Sequence, residues 1–212
     1  MRGLLVKDLR LLLGQKKFLV LVLFMTVVLN FNGSITFVVY YLTFVCSFFV
    51  ISSIAYDEND NGYPNLFCLP IDRSIYVREK YVFEILLNMV SWLAGLAICF
   101  IIQTVRHSLD PLRENIMILL LILPAILIFD SVVLPLQFKF GSEKGRIVLL
   151  CCFIIVFFMG YTLNQALDLG DRMNLLIQYH PDLLCLVLAA AAVLTTVVSY
   201  AASVAVMKRK EF

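Results

Sequence analysis

Charged residues are scarce in this sequence. Asp, Glu, Lys and Arg make up 15% of the 212 residues, whereas hydrophobic residues make up 62%. Soluble domains carry about 25% charged residues, and the mean hydropathy of +0.95 lies far above their range. So little charge cannot cover a water-exposed surface. The composition therefore excludes a soluble globular protein and predicts an integral membrane protein.

Motifs for nucleotide and metal chemistry are absent as well. The chain has no Walker A glycine loop and no HExxH, GxSxG or GxGxxG motif. Its two histidines, His107 and His180, are far apart and have no carboxylate or cysteine at ligand spacing, so we interpret both as solvated loop residues. We expect no catalytic residue, no metal site and no cofactor on this chain.

The cysteines show no pairing pattern. None belongs to a CxxC motif, and most lie inside apolar runs, where a thiol acts as a small hydrophobic group. They are Cys46, Cys68, Cys99, Cys151, Cys152 and Cys185. We expect no disulfide bonds.

Six apolar segments approach or exceed the roughly 20 residues that cross a bilayer as a helix. They span residues 18–31, 35–55, 81–105, 115–136, 147–163 and 183–207. The fold class predicted is an all-α integral membrane protein with six transmembrane helices, forming one transmembrane domain over residues 1–212. Pro124 and Pro135 predict kinks in the fourth span, and the polar residues 137–146 predict a tight loop.

Residues 1–17 are too charged to cross a membrane. On a helix, apolar side chains share one face: Leu5, Val6, Leu9, Leu12 and Leu13. Basic residues and a glycine fall on the other: Lys7, Arg10, Gly14 and Lys17. This pattern predicts an amphipathic helix at the membrane surface. The alternative is the start of a signal peptide, but residues 30–34 lack a small-residue cleavage site.

The distribution of basic residues predicts the orientation. Six spans place both termini on one side, and that side holds all of the 17 lysines and arginines except Arg106, Arg113 and Arg172. Because short cytoplasmic loops are rich in Lys and Arg, we expect both termini, residues 56–80 and the 137–146 loop to be cytoplasmic.

Residues 56–80 form the longest polar interval. Asp57, Glu58 and Asp60 follow the second span, and an Asn-Gly turn leads into a short helix that Pro70 ends. Asp72 or Ser74 is placed to cap the helix of the third span. The pattern predicts a short, partly apolar helix at the membrane surface between two long ones.

Two carboxylates fall within or near the apolar spans. Asp130 lies in the fourth span, and acids in hydrocarbon commonly face a partner or a cavity. We favour a structural role, in which Asp130 pairs with Lys139, Arg146 or a backbone amide, and keep a polar functional site as the alternative. Glu84, near the start of the third span, is expected to pair with Lys80 one turn earlier.

Two stretches together carry a resemblance to a known family. The first reads L-P-I-x-R from Leu69 to Arg73, followed by Lys80-Tyr81, and the second reads P-L-x-F-K-F-G-x-E-K-G-R from Pro135 to Arg146. With the amphipathic start and six spans, the chain resembles the small ABC-2 type permeases of bacterial ABC transporters. It is most similar to short permeases that export amphipathic peptides, such as phenol-soluble modulins, which would link it to antimicrobial peptide resistance.

The resemblance implies roles for several segments. The loop after the second span would hold the coupling helix that docks on a cytoplasmic ATPase subunit, with a Tyr63, Leu66 and Phe67 knob. Its docking residues would be Tyr63, Pro64, Asn65, Leu66, Phe67, Leu69 and Arg73. Residues 1–17 would be the connecting helix and 164–181 the extracellular gate region.

The resemblance also implies an assembly in the plasma membrane. Two ATPase subunits would carry ATP and Mg²⁺, and a second permease chain, identical or paralogous, would complete the path; no nucleic acid is involved. A non-transporting immunity or sensor-anchor protein is the alternative. An intramembrane protease is disfavoured, because neither histidine lies in a span.

Overall fold

The computed structural model describes residues 2–32, 35–58, 62–68, 72–105, 115–167 and 181–210, and all regular structure within them is helical. The helices are α1 (Arg2–Gly14), α2 (Lys16–Asn32), α3 (Ile35–Glu58), α4 (Gly62–Phe67), α5 (Arg73–Val105), α6 (Ile116–Leu167) and α7 (Pro181–Arg209). The expected all-α membrane fold is confirmed.

Four helical segments of the described chain are long and apolar enough to cross a membrane. They lie in α3, α5, the first half of α6 and α7, and the bent pair of α1 and α2 is a fifth candidate if it counts as one span. The count of six stays a prediction, because most side chains of the expected fifth span, 147–163, lie outside the described set. The expected gate region also lies almost wholly outside it.

The amphipathic start of the chain forms a helix of its own. A break at Gln15 separates α1 from α2, and the two axes differ by 67°. Val6, Leu9 and Leu13 are exposed on α1, as expected for a face that enters a membrane surface. The opposite side of α1 is buried against α3 and α5.

The turn expected within 137–146 is present but is shorter than predicted. Two helical segments of α6 meet there at Gly141, the one residue that departs from helical backbone angles, with φ 77° and ψ −179°. A positive φ is readily adopted by glycine alone, so one residue provides the change of direction. Backbone angles stay helical at Pro124 and Pro135, and Gln137 and Phe138 are buried rather than in a loop.

The buried apolar residues form two clusters. The larger draws on α3, α4, α5, α6 and α7: Val50, Ile54, Tyr63, Tyr76, Val77, Tyr81, Phe83, Leu134, Phe138 and Met207. The smaller draws on α3, α5 and α6: Val38, Val39, Cys99, Leu119, Ile122 and Ile126. Many other large apolar side chains are exposed, which fits helices whose outer faces contact lipid.

The Tyr81 hydroxyl joins three helices. It lies 2.5 Å from Ser199 Oγ and 2.8 Å from Ser203 Oγ on α7, and Ser199 donates to the Ser131 carbonyl of α6 at 2.5 Å. We expect Tyr81→Phe to lower the free energy of unfolding by about 1–2 kcal/mol, because two buried hydroxyls lose a partner. Thermal unfolding in detergent measures this change, and Tyr56→Phe, at a tyrosine 62% exposed, is the control. Equal midpoints for the two variants would contradict the expectation.

Candidate functional site

Several helix ends meet at one end of the bundle. Helix α1, the last residues of α3, helix α4, the first turns of α5 and the last turn of α7 make polar contacts there. We call this region the charged end. It contains the whole described part of the polar interval that the sequence singled out.

A buried ion-pair network links three helices at the charged end. Lys80 of α5 places its Nζ 2.5 Å from Asp8 Oδ2 of α1, 2.9 Å from Asp57 Oδ2 of α3 and 2.6 Å from Ser53 Oγ. Lys7 also binds Asp57, and its Nζ lies 3.3 Å from Asp8 Oδ1. The Lys80 side chain is 0% exposed. Such a network is tolerated in a low-dielectric site because each charge has an opposite partner.

The network favours the charged forms of Asp8 and Lys7. Burial alone would raise the pKa of the Asp8 carboxyl, but the Lys80 ammonium outweighs burial and lowers that pKa. Burial likewise opposes the charge of Lys7, yet Asp57 raises its pKa. Because the folded pKa of Asp8 is depressed, its contribution to stability is complete above the ordinary value of 3.8 and is lost as the pH falls toward the folded pKa.

Helix α4 is anchored by its tyrosine. Tyr63 is 3% exposed, its ring meets the Tyr76 ring edge-to-face at 5.9 Å, and Tyr76 contacts Phe138 of α6 at 6.2 Å. Gly62 lies so close to the Asp57 carbonyl that a Cβ would overlap it. The backbone of α4 is therefore pressed against the end of α3.

This anchoring corrects the expected apolar knob. Tyr63 points inward, and Leu66 is half-buried against the larger apolar cluster. The exposed side chains of the segment are those of Pro64 and Cys68. Leu69 and the side chains of Asn65 and Phe67 lie outside the described set.

Arg73 binds the chain's own C-terminal segment. Its Nη1 donates to the carbonyls of Met207, Lys208 and Lys210 at 3.3, 3.0 and 2.8 Å. These carbonyls have no partner within their own helix, and a cation there also complements the helix dipole. Asp72 occupies the N-cap position of α5, since its carbonyl accepts from Tyr76 N at 3.1 Å. Of the two caps that the sequence offered, Asp72 is the one that stands directly before the first residue of α5.

Lys210 completes the charged end. Its Nζ lies 3.5 Å from Glu58 Oε1 and 3.3 Å from the Phe138 carbonyl, and it stands 5.1 Å above the Tyr63 ring. Glu58 in turn packs against Gly141. The last residues of α7 are thereby held against α3, α4 and α6.

Neither intramembrane carboxylate pairs with the lysine that the sequence suggested, and the Arg146 side chain lies outside the described set. Asp130, 3% exposed, accepts from Asn88 Nδ2 at 2.8 Å, whereas the expected partner Lys139 lies over the ring of Phe140. The expected Lys80–Glu84 pair is wrong, because Lys80 is held by Asp8 and Asp57. Within the described chain, neither carboxylate oxygen of Glu84 has a hydrogen-bond partner.

The sequence interpretation missed Asp8 and the role of Lys80. Asp8 is the single acid among residues 1–17, and it interrupts an otherwise basic and apolar helix. That isolation was a usable signal. Its partner Lys80 could not be predicted from it, because Lys80 lies 72 residues further along the chain.

The comparisons with known proteins give one match. Residues 3–208 match a family model described as ABC-2 family transporter protein. No match was found among curated proteins or among solved structures. The matched range includes the charged end and both intramembrane carboxylates.

Proposed function

Because the chain belongs to the ABC-2 family of transporter proteins, and is thus a membrane permease subunit of an ABC transporter, we propose that α4 couples it to its ATPase partner. The permease is not itself catalytic, and the ATPase activity of such transporters lies on separate subunits. ATP and Mg²⁺ bind those subunits. The cargo is an amphipathic peptide, as the resemblance to short peptide-exporting permeases implies.

The observation that supports a coupling role for α4 is the way this helix is anchored. Tyr63 connects α4 through Tyr76 to α5 and onward through Phe138 to α6, while Lys210 connects it to α7. A helix held in this way cannot move alone. A push on its exposed side, at Pro64 and Cys68, therefore displaces several helix ends together, as rigid-body rocking requires.

The assembly follows from this role. Two ATPase subunits sit beneath two permease chains in the plasma membrane, and the charged end faces the cytoplasm. The concentration of basic residues on that side supports this orientation. Each permease chain supplies half of the translocation path, and both termini are cytoplasmic.

A charge placed on the exposed side of α4 tests the coupling. We expect Cys68→Arg to reduce co-purification of the ATPase subunit about tenfold, because a new cation in a small interface disrupts its packing. The fold should survive, since the Cys68 side chain is exposed. Pull-down with a tagged permease measures the ratio of the two subunits.

The matched control introduces an arginine near the C-terminal end of α5. Thr104 is exposed there, and Thr104→Arg should leave ATPase recovery unchanged. If Cys68→Arg recovers as much ATPase as the wild type does, with an equal unfolding midpoint, α4 is not the docking element.

A further inference from the structure

A second polar cluster lies inside the bundle, away from the charged end. It contains Glu84 and Asn88 on α5 and Asp130 on α6, all at most 3% exposed. Glu84 is within electrostatic reach of Asp130, and Asn88 bridges toward Asp130 through its amide. Ser47 of α3 lies within hydrogen-bond reach of Asp130. Three helices thus contribute oxygen atoms to one buried space.

This cluster has two carboxyl groups and, within the described chain, no basic partner. The nearest basic residue along α5 is Lys80, one turn before Glu84, and its ammonium is engaged by Asp8 and Asp57 at 2.5 and 2.9 Å. Two adjacent carboxylates without positive charge are very costly in a low-dielectric interior. The pair therefore requires a positive charge that the described side chains do not provide.

The other titratable groups nearby do not provide it either. Tyr81 on α5 is within electrostatic reach of Glu84. Cys46 on α3 contacts Ser91, and Glu79 on α5 belongs to the charged end. Helix α7 contributes the hydroxyls of Ser199 and Ser203, both directed to Tyr81. None of these groups is a cation.

Three oxygen atoms of the cluster are buried and lack a hydrogen-bond partner among the described residues. They are both carboxylate oxygens of Glu84 and the amide oxygen of Asn88. Ser47 donates its own proton to the Phe44 carbonyl at 2.9 Å, which leaves its oxygen free to accept. Carboxylate, amide and hydroxyl oxygens together are ligands for a hard cation or acceptors for a proton.

We propose that Glu84 and Asp130 hold one monovalent cation between α5 and α6, either a proton on one of the two carboxylates or a sodium ion coordinated by both. The cation offsets one of the two negative charges of the pair and stabilises the packing of α5 on α6 within the bilayer. This site is separate from the ATPase-docking surface, so the proposal does not depend on the coupling role of α4. No catalytic step is required of it.

The test is the thermal unfolding of the purified full-length chain in detergent, in two series. In the first, sodium replaces choline at constant ionic strength and alkaline pH. In the second, the pH falls from alkaline to neutral without sodium. We expect one of the two series to raise the wild-type midpoint by about 5 °C, because a ligand that binds only the folded state stabilises it.

The variants Glu84→Gln and Asp130→Asn remove one charge each while keeping side-chain shape. Either should abolish the rise, whereas Ser203→Ala, at a hydroxyl bound to Tyr81, should preserve it. A response to sodium identifies the alkali ion, and a response to pH alone identifies the proton. A wild-type midpoint that changes in neither series, or a rise that persists in both carboxyl variants, overturns the proposal.

Discussion

Replacing Lys80 with methionine is expected to lower the free energy of unfolding by about 3–5 kcal/mol. The substitution keeps the aliphatic stem but leaves Asp8 and Asp57 without the ammonium that lies 2.5 and 2.9 Å from them. Two carboxylates that then share a single cation, Lys7, are the costly product, rather than the lost attraction itself. Thermal unfolding in detergent should show a midpoint reduced by roughly 10 °C.

Two further variants separate this effect from a general loss of positive charge. Lys16→Met removes a lysine that is exposed at the start of α2, and it should change stability by less than about 0.5 kcal/mol. Adding Asp8→Asn to Lys80→Met should restore part of the loss, since one buried carboxylate is then neutral. A double variant as unstable as the sum of the two single variants would show that Lys80 and Asp8 are not coupled.

Gly141→Ala is expected to destabilise the protein by about 2–3 kcal/mol. An alanine at φ 77° is strained by about 1–2 kcal/mol, and its Cβ would also displace the Glu58 carboxylate that packs against this glycine. Glu58 is the partner of Lys210, so the end of α7 should loosen too. The unfolding midpoint measures the first effect, and limited proteolysis near residue 210 measures the second.

Gly3→Ala is the matched control for this substitution. Gly3 lies within α1, and the position that an alanine Cβ would occupy there faces open space, with no neighbouring atom within 4 Å. Alanine at this position should be neutral or should stabilise the helix by up to about 1 kcal/mol. Similar losses for the two variants would mean that the backbone of Gly141 is not the cause.

The apolar runs predicted the membrane helices well, because an apolar run in lipid must satisfy its own backbone hydrogen bonds and a helix does so. The short helix before Arg73 and the cap at Asp72 could also be predicted from the sequence, because each depends on residues that are close together in the chain. The turn in the 137–146 segment was predicted to be too long, because the whole segment is polar. One glycine with a positive φ makes the turn there, and composition does not reveal how many residues a turn needs.

The contacts of individual side chains could not be predicted. The pairing of Asn88 with Asp130 joins residues 42 positions apart, whereas periodicity reports only which residues share one helix face. For the same reason Tyr63 was assigned to an exposed knob, although the ring of Tyr76 receives it in the interior. Its hydrophobic character was compatible with either position, and only the packing of α4 on α5 decides between them.

The ion pair between α1 and α5 fixes how deeply the protein sits in its bilayer. The exposed leucines of α1 lie on the face expected to enter the headgroup layer, while Asp8 on the opposite side is bound to Lys80 at the start of a long span. The headgroup plane and the end of that span are therefore held at one level. A thinner or thicker membrane would therefore strain the ion pair between Asp8 and Lys80.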